Sequence, residues 1–131
     1  ISSYGEHYDG KYRKHAPLNK SHVDFGFIEP IKYFTPSIAI SELIKIPQSF
    51  NKKFTNDFFV AALGWKLQMH EGDLSIHHIR FNDTFTEIVF EDVIPIGERV
   101  RDMIYIKNNN AVLLLLESVP SLGLLKLDDT P

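Results

Sequence analysis

From residue 31 onward, apolar and polar positions alternate in short blocks separated by turn-forming residues. Between 37 and 46, Ile38, Ile40, Ile44 and Ile46 fall on one side, and Ser37, Ser41 and Lys45 on the other. That two-residue period is the signature of a half-buried strand. Residues 57–63 form a continuous apolar run after Asp57, as expected of a strand covered on both faces. Further strands are predicted at 66–70, 73–81 and 84–91, parted by Glu71-Gly72 and Asn82-Asp83, both suited to hairpin turns. Strands at 100–107 and 111–117 flank Asn108-Asn109-Asn110, where asparagine tolerates positive φ, and 122–127 supplies one more. No stretch carries a helical period. Short strands at this spacing predict an all-β sandwich, barrel or propeller. Residues 1–30 have Gly5, Gly10, Pro17, Gly26 and Pro30 and no sustained period, so they read as a long N-terminal surface loop.

Composition narrows the function classes. A hydrophobic share of 44% and a charged share of 24% are those of a folded chain rather than a disordered one. A net charge of −3 gives no general attraction to nucleic acid or anionic membrane. No apolar run approaches the roughly 20 residues of a spanning helix. The absence of cysteine excludes disulfides and thiolate zinc sites.

The densest chemistry lies in Gly97-Glu98-Arg99-Val100-Arg101-Asp102 and in Glu117. Two guanidinium groups two residues apart share one face of a strand, and a carboxylate ends the next strand. They either form a structural cluster with Glu98, Asp102 or Glu117, or hold an anionic ligand bidentately. His77 and His78 are consecutive on a strand and point to opposite faces, so they are not a joint ligand pair. His7, His15 and His22 sit at spacings that no zinc site favours. No G-x-S-x-G element or glycine-rich phosphate loop is present, which leaves nucleophilic catalysis and phosphate binding without support.

Four elements, in chain order, carry a family resemblance. Tyr4-Gly5-Glu6-His7-Tyr8-Asp9-Gly10 is similar to a Y-G-x-x-Y-x-G loop, and Pro36-Ser37-Ile38-Ala39 to an S-I-A-P-S-G element. Phe58-Phe59-Val60-Ala61-Ala62-Leu63 is similar to an L-F-V-G-S-L strand, and the arginine-rich run to G-x-R-x-R-D. Together they resemble the C-terminal part of the glucose/sorbosone dehydrogenase family, the soluble quinoprotein sugar dehydrogenases. The chain departs from that pattern at Ile40 and Glu42, where the family has Pro and Gly, at Glu117, where it has Asp, and in an insertion-like stretch at 64–71.

The resemblance implies about two blades of a six-bladed β-propeller that uses pyrroloquinoline quinone (PQQ), with calcium, to oxidise aldoses at C1 by hydride transfer. It implies that Arg99 and Arg101 hold the PQQ carboxylates, that Glu117 accompanies them, and that Trp65 and Lys66 stand near a further cationic cofactor contact. The family's catalytic histidine and calcium loop would precede Ile1. The chain is therefore expected to be a C-terminal fragment with no catalytic residue or metal ligand of its own, inactive in isolation. A periplasmic or secreted location follows from the family alone.

Residues 31–92 are expected to supply a four-stranded first blade with an extra ribbon, and 93–131 a three-stranded, incomplete second. Two blades cannot close a ring and leave apolar flanks open, so a homo-oligomer is expected. The competing expectations are a non-catalytic oligomeric module that binds carbohydrate or protein in a central funnel, and an unrelated β-sandwich.

Overall fold

The computed structural model describes residues 24, 26–34, 37–64 and 74–128. The chain divides into two compact units, Ile1–Ile38 and Ala39–Pro131. In the first, the described residues form no strand, and the loop reading of 1–30 falls mostly outside them. In the second, the regular structure of the described residues is β apart from one short 3-10 turn.

Among the described residues the protein is all-β, with seven strands in two antiparallel meanders. Strands β1 (Ile40–Ile46), β2 (Asp57–Ala62), β3 (Ser75–Phe81) and β4 (Ile88–Pro95) form one sheet in sequence order. Strands β5 (Val100–Ile106), β6 (Ala111–Leu116) and β7 (Ser121–Leu125) form the other. The described strands fall into a sheet of four and a sheet of three, and β4 runs through the expected boundary at 92/93 to Pro95. The strand expected at 66–70 and the turn at Glu71-Gly72 lie outside the described residues.

Two expectations are corrected. The strand predicted at 84–91 begins at Ile88, because Asn82 organises a wide loop instead of a two-residue turn. Its Oδ1 accepts hydrogen bonds from the Thr86 N–H at 2.9 Å, the Glu87 N–H at 3.4 Å and the Thr84 hydroxyl at 3.2 Å. Asn82 carries the side-chain chemistry of an Asx turn, which competes with continued pairing. Secondly, Ile40 does not share a buried face with Ile44 and Ile46. It is 55% exposed, because the register slips between Ile40 and Glu42 and the extra residue reverses the alternation.

The same irregularity recurs 60 positions later, between Val100 and Asp102. Residues 39–46 and 99–106 align as a repeat, AISELIKI on RVRDMIYI. Ala39 O accepts from Leu63 N at 3.0 Å, as Arg99 O does from Glu117 N at 2.9 Å. Glu42 and Asp102 each accept a hydrogen bond from the N–H of the following residue, at 2.8 and 2.7 Å. One backbone plan is therefore used twice.

The repeat also explains how the sheets stack. Sheet one presents Ile44, Ile46, Phe59, Ala61 and Ile76 to the shared core, and sheet two presents Val100, Met103, Tyr105, Val112 and Leu114. Ile44 and Ile46 correspond to Ile104 and Ile106, which lie on the opposite face of β5 from Met103 and Tyr105. The sheets thus pack front to back, as consecutive blades do, rather than face to face about a two-fold. Phe50 and Phe54, in the turns between β1 and β2, close the core with Phe59 at ring-centroid distances of 6.0 and 6.4 Å.

Candidate functional site

The two sheets meet where β1 and β5 begin. Ser41, the bulged residue of β1, donates its hydroxyl to Val100 O at 2.5 Å, which ties the start of one sheet to that of the next. Arg101 occupies the corresponding bulge position in β5. The bulge re-aims a side chain at the rim of a sheet, a usual role for such insertions.

Around this rim Arg99 and Arg101 converge on Glu117. Arg99 Nη1 lies 3.7 Å from Glu117 Oε1, and Arg101 Nη2 lies against Glu117 Oε2. Backbone pairing of Glu117 N to Arg99 O sets Glu117 across from Arg99. Glu117 Oε2 touches Arg101 without making a hydrogen bond, and Arg99 Nε and Glu98 Oε2 are buried atoms with no hydrogen-bond partner. A buried guanidinium N–H left without an acceptor is costly. Two guanidinium groups facing one carboxylate carry more N–H donors than it can accept. Asp102 is already engaged with the Met103 N–H. Trp65 and Lys66, expected near the same site, lie outside the described residues, as do His7, His15, His22 and His70.

A second charged cluster lies at the other end of β2. Asp57 is fully buried. Its Oδ1 meets His78 Nε2 at 2.5 Å and accepts from Arg80 Nη2 at 2.9 Å, while its Oδ2 accepts from Arg80 Nε at 2.9 Å and from Thr55 N at 2.7 Å. The register supplies the geometry: Asp57 pairs with Arg80 and Phe59 with His78, so Asp57, His78 and Arg80 share one face. Rings surround them, with His78 4.6 Å from Phe54 and 5.0 Å from Phe90. The Arg80 guanidinium sits 5.5 Å over Phe90.

Burial pushes the Asp57 carboxyl up, but the hydrogen bonds from Arg80, His78 and Thr55 outweigh it and hold the group below its ordinary value. The same hydrogen bond raises Arg80. This cluster was not anticipated from the sequence, where His78 was considered only as a metal ligand. The signal available was Asp57 itself, an acid at the head of an apolar run, which requires a partner when buried.

His77 points to the opposite face, with Nδ1 3.8 Å from Glu91. Among the described residues no group of three or more His, Asp or Glu side chains is disposed to hold a metal ion. No helix among them is long and apolar enough to cross a membrane.

A pair of consecutive antiparallel meanders, stacked front to back with a charged rim where their first strands start, defines a blade-type β protein. A family model described as glucose/sorbosone dehydrogenase matches residues 1–122. The chain belongs to the glucose/sorbosone dehydrogenase family. Neither the curated proteins nor the solved structures gave a match.

Proposed function

We propose that this chain forms one wall of a PQQ site in a sugar dehydrogenase of the quinoprotein type, with Arg99 and Arg101 as its anion-binding groups and Glu117 as the residue that orients them. The observation that carries the reading is the unsatisfied rim: Arg99 Nε has no acceptor, and Glu117 meets both guanidinium groups without saturating either. A ligand with carboxylates supplies the missing acceptors, and planar bidentate donors suit it better than ammonium groups do. Glu98 Oε2 calls for a hydrogen-bond donor on the same ligand or on an adjacent side chain. PQQ, an aromatic tricarboxylate with a pyrrole N–H, has both kinds of group. When bound it would supply the two-electron acceptor for an aldose.

The chain's described residues contribute binding and orientation, not proton transfer. His77 and His78 are the histidines among them, and His78 is hydrogen-bonded to Asp57, which lies at the far end of β2 from the rim. The test is titration of the chain with PQQ, followed by its absorbance and by calorimetry. Saturable binding that Arg101→Lys weakens by about tenfold is expected, since a fork becomes a point charge. Binding unaffected by Arg99→Leu and Arg101→Leu together would refute the assignment.

A further inference from the structure

The extra residue of a bulge has no partner opposite it, so the ladder does not fix its direction. In β5 that residue is Arg101: Val100 pairs with Leu116 and Asp102 with Leu115, and Arg101 falls between them. The Arg101 side chain is 52% exposed, and an ion pair this open to water does little to hold it. What aims Arg101 therefore acts on its backbone.

Two contacts hold that backbone. On the C-terminal side Asp102 takes the Met103 N–H at 2.7 Å. On the N-terminal side the carbonyl of Val100, part of the peptide group that leads into Arg101, accepts the Ser41 hydroxyl at 2.5 Å. Ser41 is itself the unpaired residue of the β1 bulge, between Ile40 opposite Ala62 and Glu42 opposite Ala61. One bulge thus grips the other. Ser41 is fixed in its turn from the N-terminal side. Ala39 stands at φ 52, a left-handed conformation that residues with a Cβ seldom adopt, and its carbonyl is held by Leu63 N at 3.0 Å. Strain of this kind persists where the surroundings over-determine the backbone.

We propose that Ser41 is a positioning residue of the rim: its hydroxyl sets the peptide that carries Arg101, and so the angle at which Arg101 meets Glu117 and an anion bound beside it. That the anion is PQQ rests on the reading above; the alignment of Arg101 does not. A binding group must be held to within ~0.5 Å of its productive place, so a loosened bulge weakens the ligand. A second hydroxyl supplies the control. Ser49 Oγ and the Tyr105 hydroxyl lie 2.8 Å apart and also join sheet one to β5, at the end of β5 away from Arg101. A tie that served only to hold the sheets together would act alike at both places.

PQQ titration of the full chain should give a Kd about tenfold higher for Ser41→Ala, and about the wild-type value for Ser49→Ala and for Ser41→Thr, which keeps the hydroxyl. Nitrogen–proton NMR of the arginine Nε–H groups, assigned with Arg→Lys variants, reads the alignment without any ligand. The Arg101 resonance should move in Ser41→Ala and stay in Ser49→Ala, while that of Arg80, bound to Asp57, stays in both. A wild-type chain that does not bind PQQ would refute the cofactor reading and leave the Arg101 resonance to decide the role of Ser41. PQQ binding that Ser41→Ala leaves unchanged, an unmoved Arg101 resonance, or equal effects of Ser41→Ala and Ser49→Ala would each overturn the proposal. So would a Ser41→Ala chain that does not fold, since the hydroxyl would then serve folding and not the rim.

Discussion

Asp57→Asn is the substitution that most directly tests the far-end cluster. The carboxylate accepts four hydrogen bonds, from Thr55 N, His78 Nε2, Arg80 Nε and Arg80 Nη2, and is itself fully buried. Asparagine preserves the shape and one acceptor oxygen, but it removes the charge and turns an amide N–H₂ toward donors. Breaking a buried ion pair from one side typically costs ~3–5 kcal/mol. The Arg80 side chain is 29% exposed and recovers part of its solvation from water, which lowers the expected loss to about 2–3 kcal/mol. That corresponds to roughly 10 °C in Tm for a chain of this size.

The pH dependence gives the sharper test. Asp57 has a folded pKa below its ordinary 3.8. A carboxylate of that kind adds stability that is fully present above the unfolded value and is lost as pH falls through the folded one. Urea unfolding of both proteins should therefore show a constant gap from pH 7 to about pH 5 that narrows steadily below pH 4. Acid effects of carboxylates elsewhere are common to both chains and cancel in the difference. A gap of the same size down to pH 2, or equal stability at neutral pH, would refute the assignment of Asp57 as a paired, ionised group.

Three further outcomes are expected. Phe59→Ala should lose about 3–5 kcal/mol by urea titration, because the ring is 2% exposed and sits between Phe50, Phe54 and His78. Asn110→Ala should cost about 1–2 kcal/mol by the same assay. It forces a Cβ-only side chain into the left-handed position at φ 45 and removes the acceptor of the Tyr105 hydroxyl bond at 2.8 Å. Dye-linked aldose oxidation by the chain supplied with PQQ and calcium should stay at background, since proton transfer by a positioned base contributes ~10²–10⁴-fold and both described histidines are committed to sheet one; turnover lost on His7→Ala or His70→Ala would contradict this.

What the sequence disclosed depended on whether a residue's partner lay nearby along the chain. The seven described strands follow from alternation and turn residues, and Arg99, Arg101 and Glu117 could be connected because a single hairpin joins them. Asn110 adopts the left-handed conformation that the asparagine triplet suggested. The Asp57 cluster spans 21 to 23 positions between partners, across residues 65–73, so no local spacing revealed it. The slip at Ile40 was hidden for a different reason. A bulge leaves no mark in an alternating sequence except by comparison with a second copy of the same plan.

That comparison separates what the backbone does from what the side chains do. Both sheets share a bulge one residue into the first strand, an acid that caps the next N–H, and a backbone bond that closes the rim. At the equivalent rim positions sheet one has Ala39, Ser41 and Leu63, and sheet two has Arg99, Arg101 and Glu117. The geometry at the rim is therefore a property of the repeat, while its charge belongs to one sheet alone. A structural salt bridge needed for blade stability would be expected in both copies, and Ala39 with Leu63 shows that the closure holds without one. Sheet one is instead fastened at its far end by Asp57, His78 and Arg80, where sheet two has no comparable described cluster. On the proposed reading, charge needed for stability and charge directed at a ligand sit at opposite ends of the strands, which makes the two separable by mutation: Asp57→Asn should lower the unfolding midpoint with little change in PQQ affinity at permissive temperature, and Arg101→Lys should do the reverse.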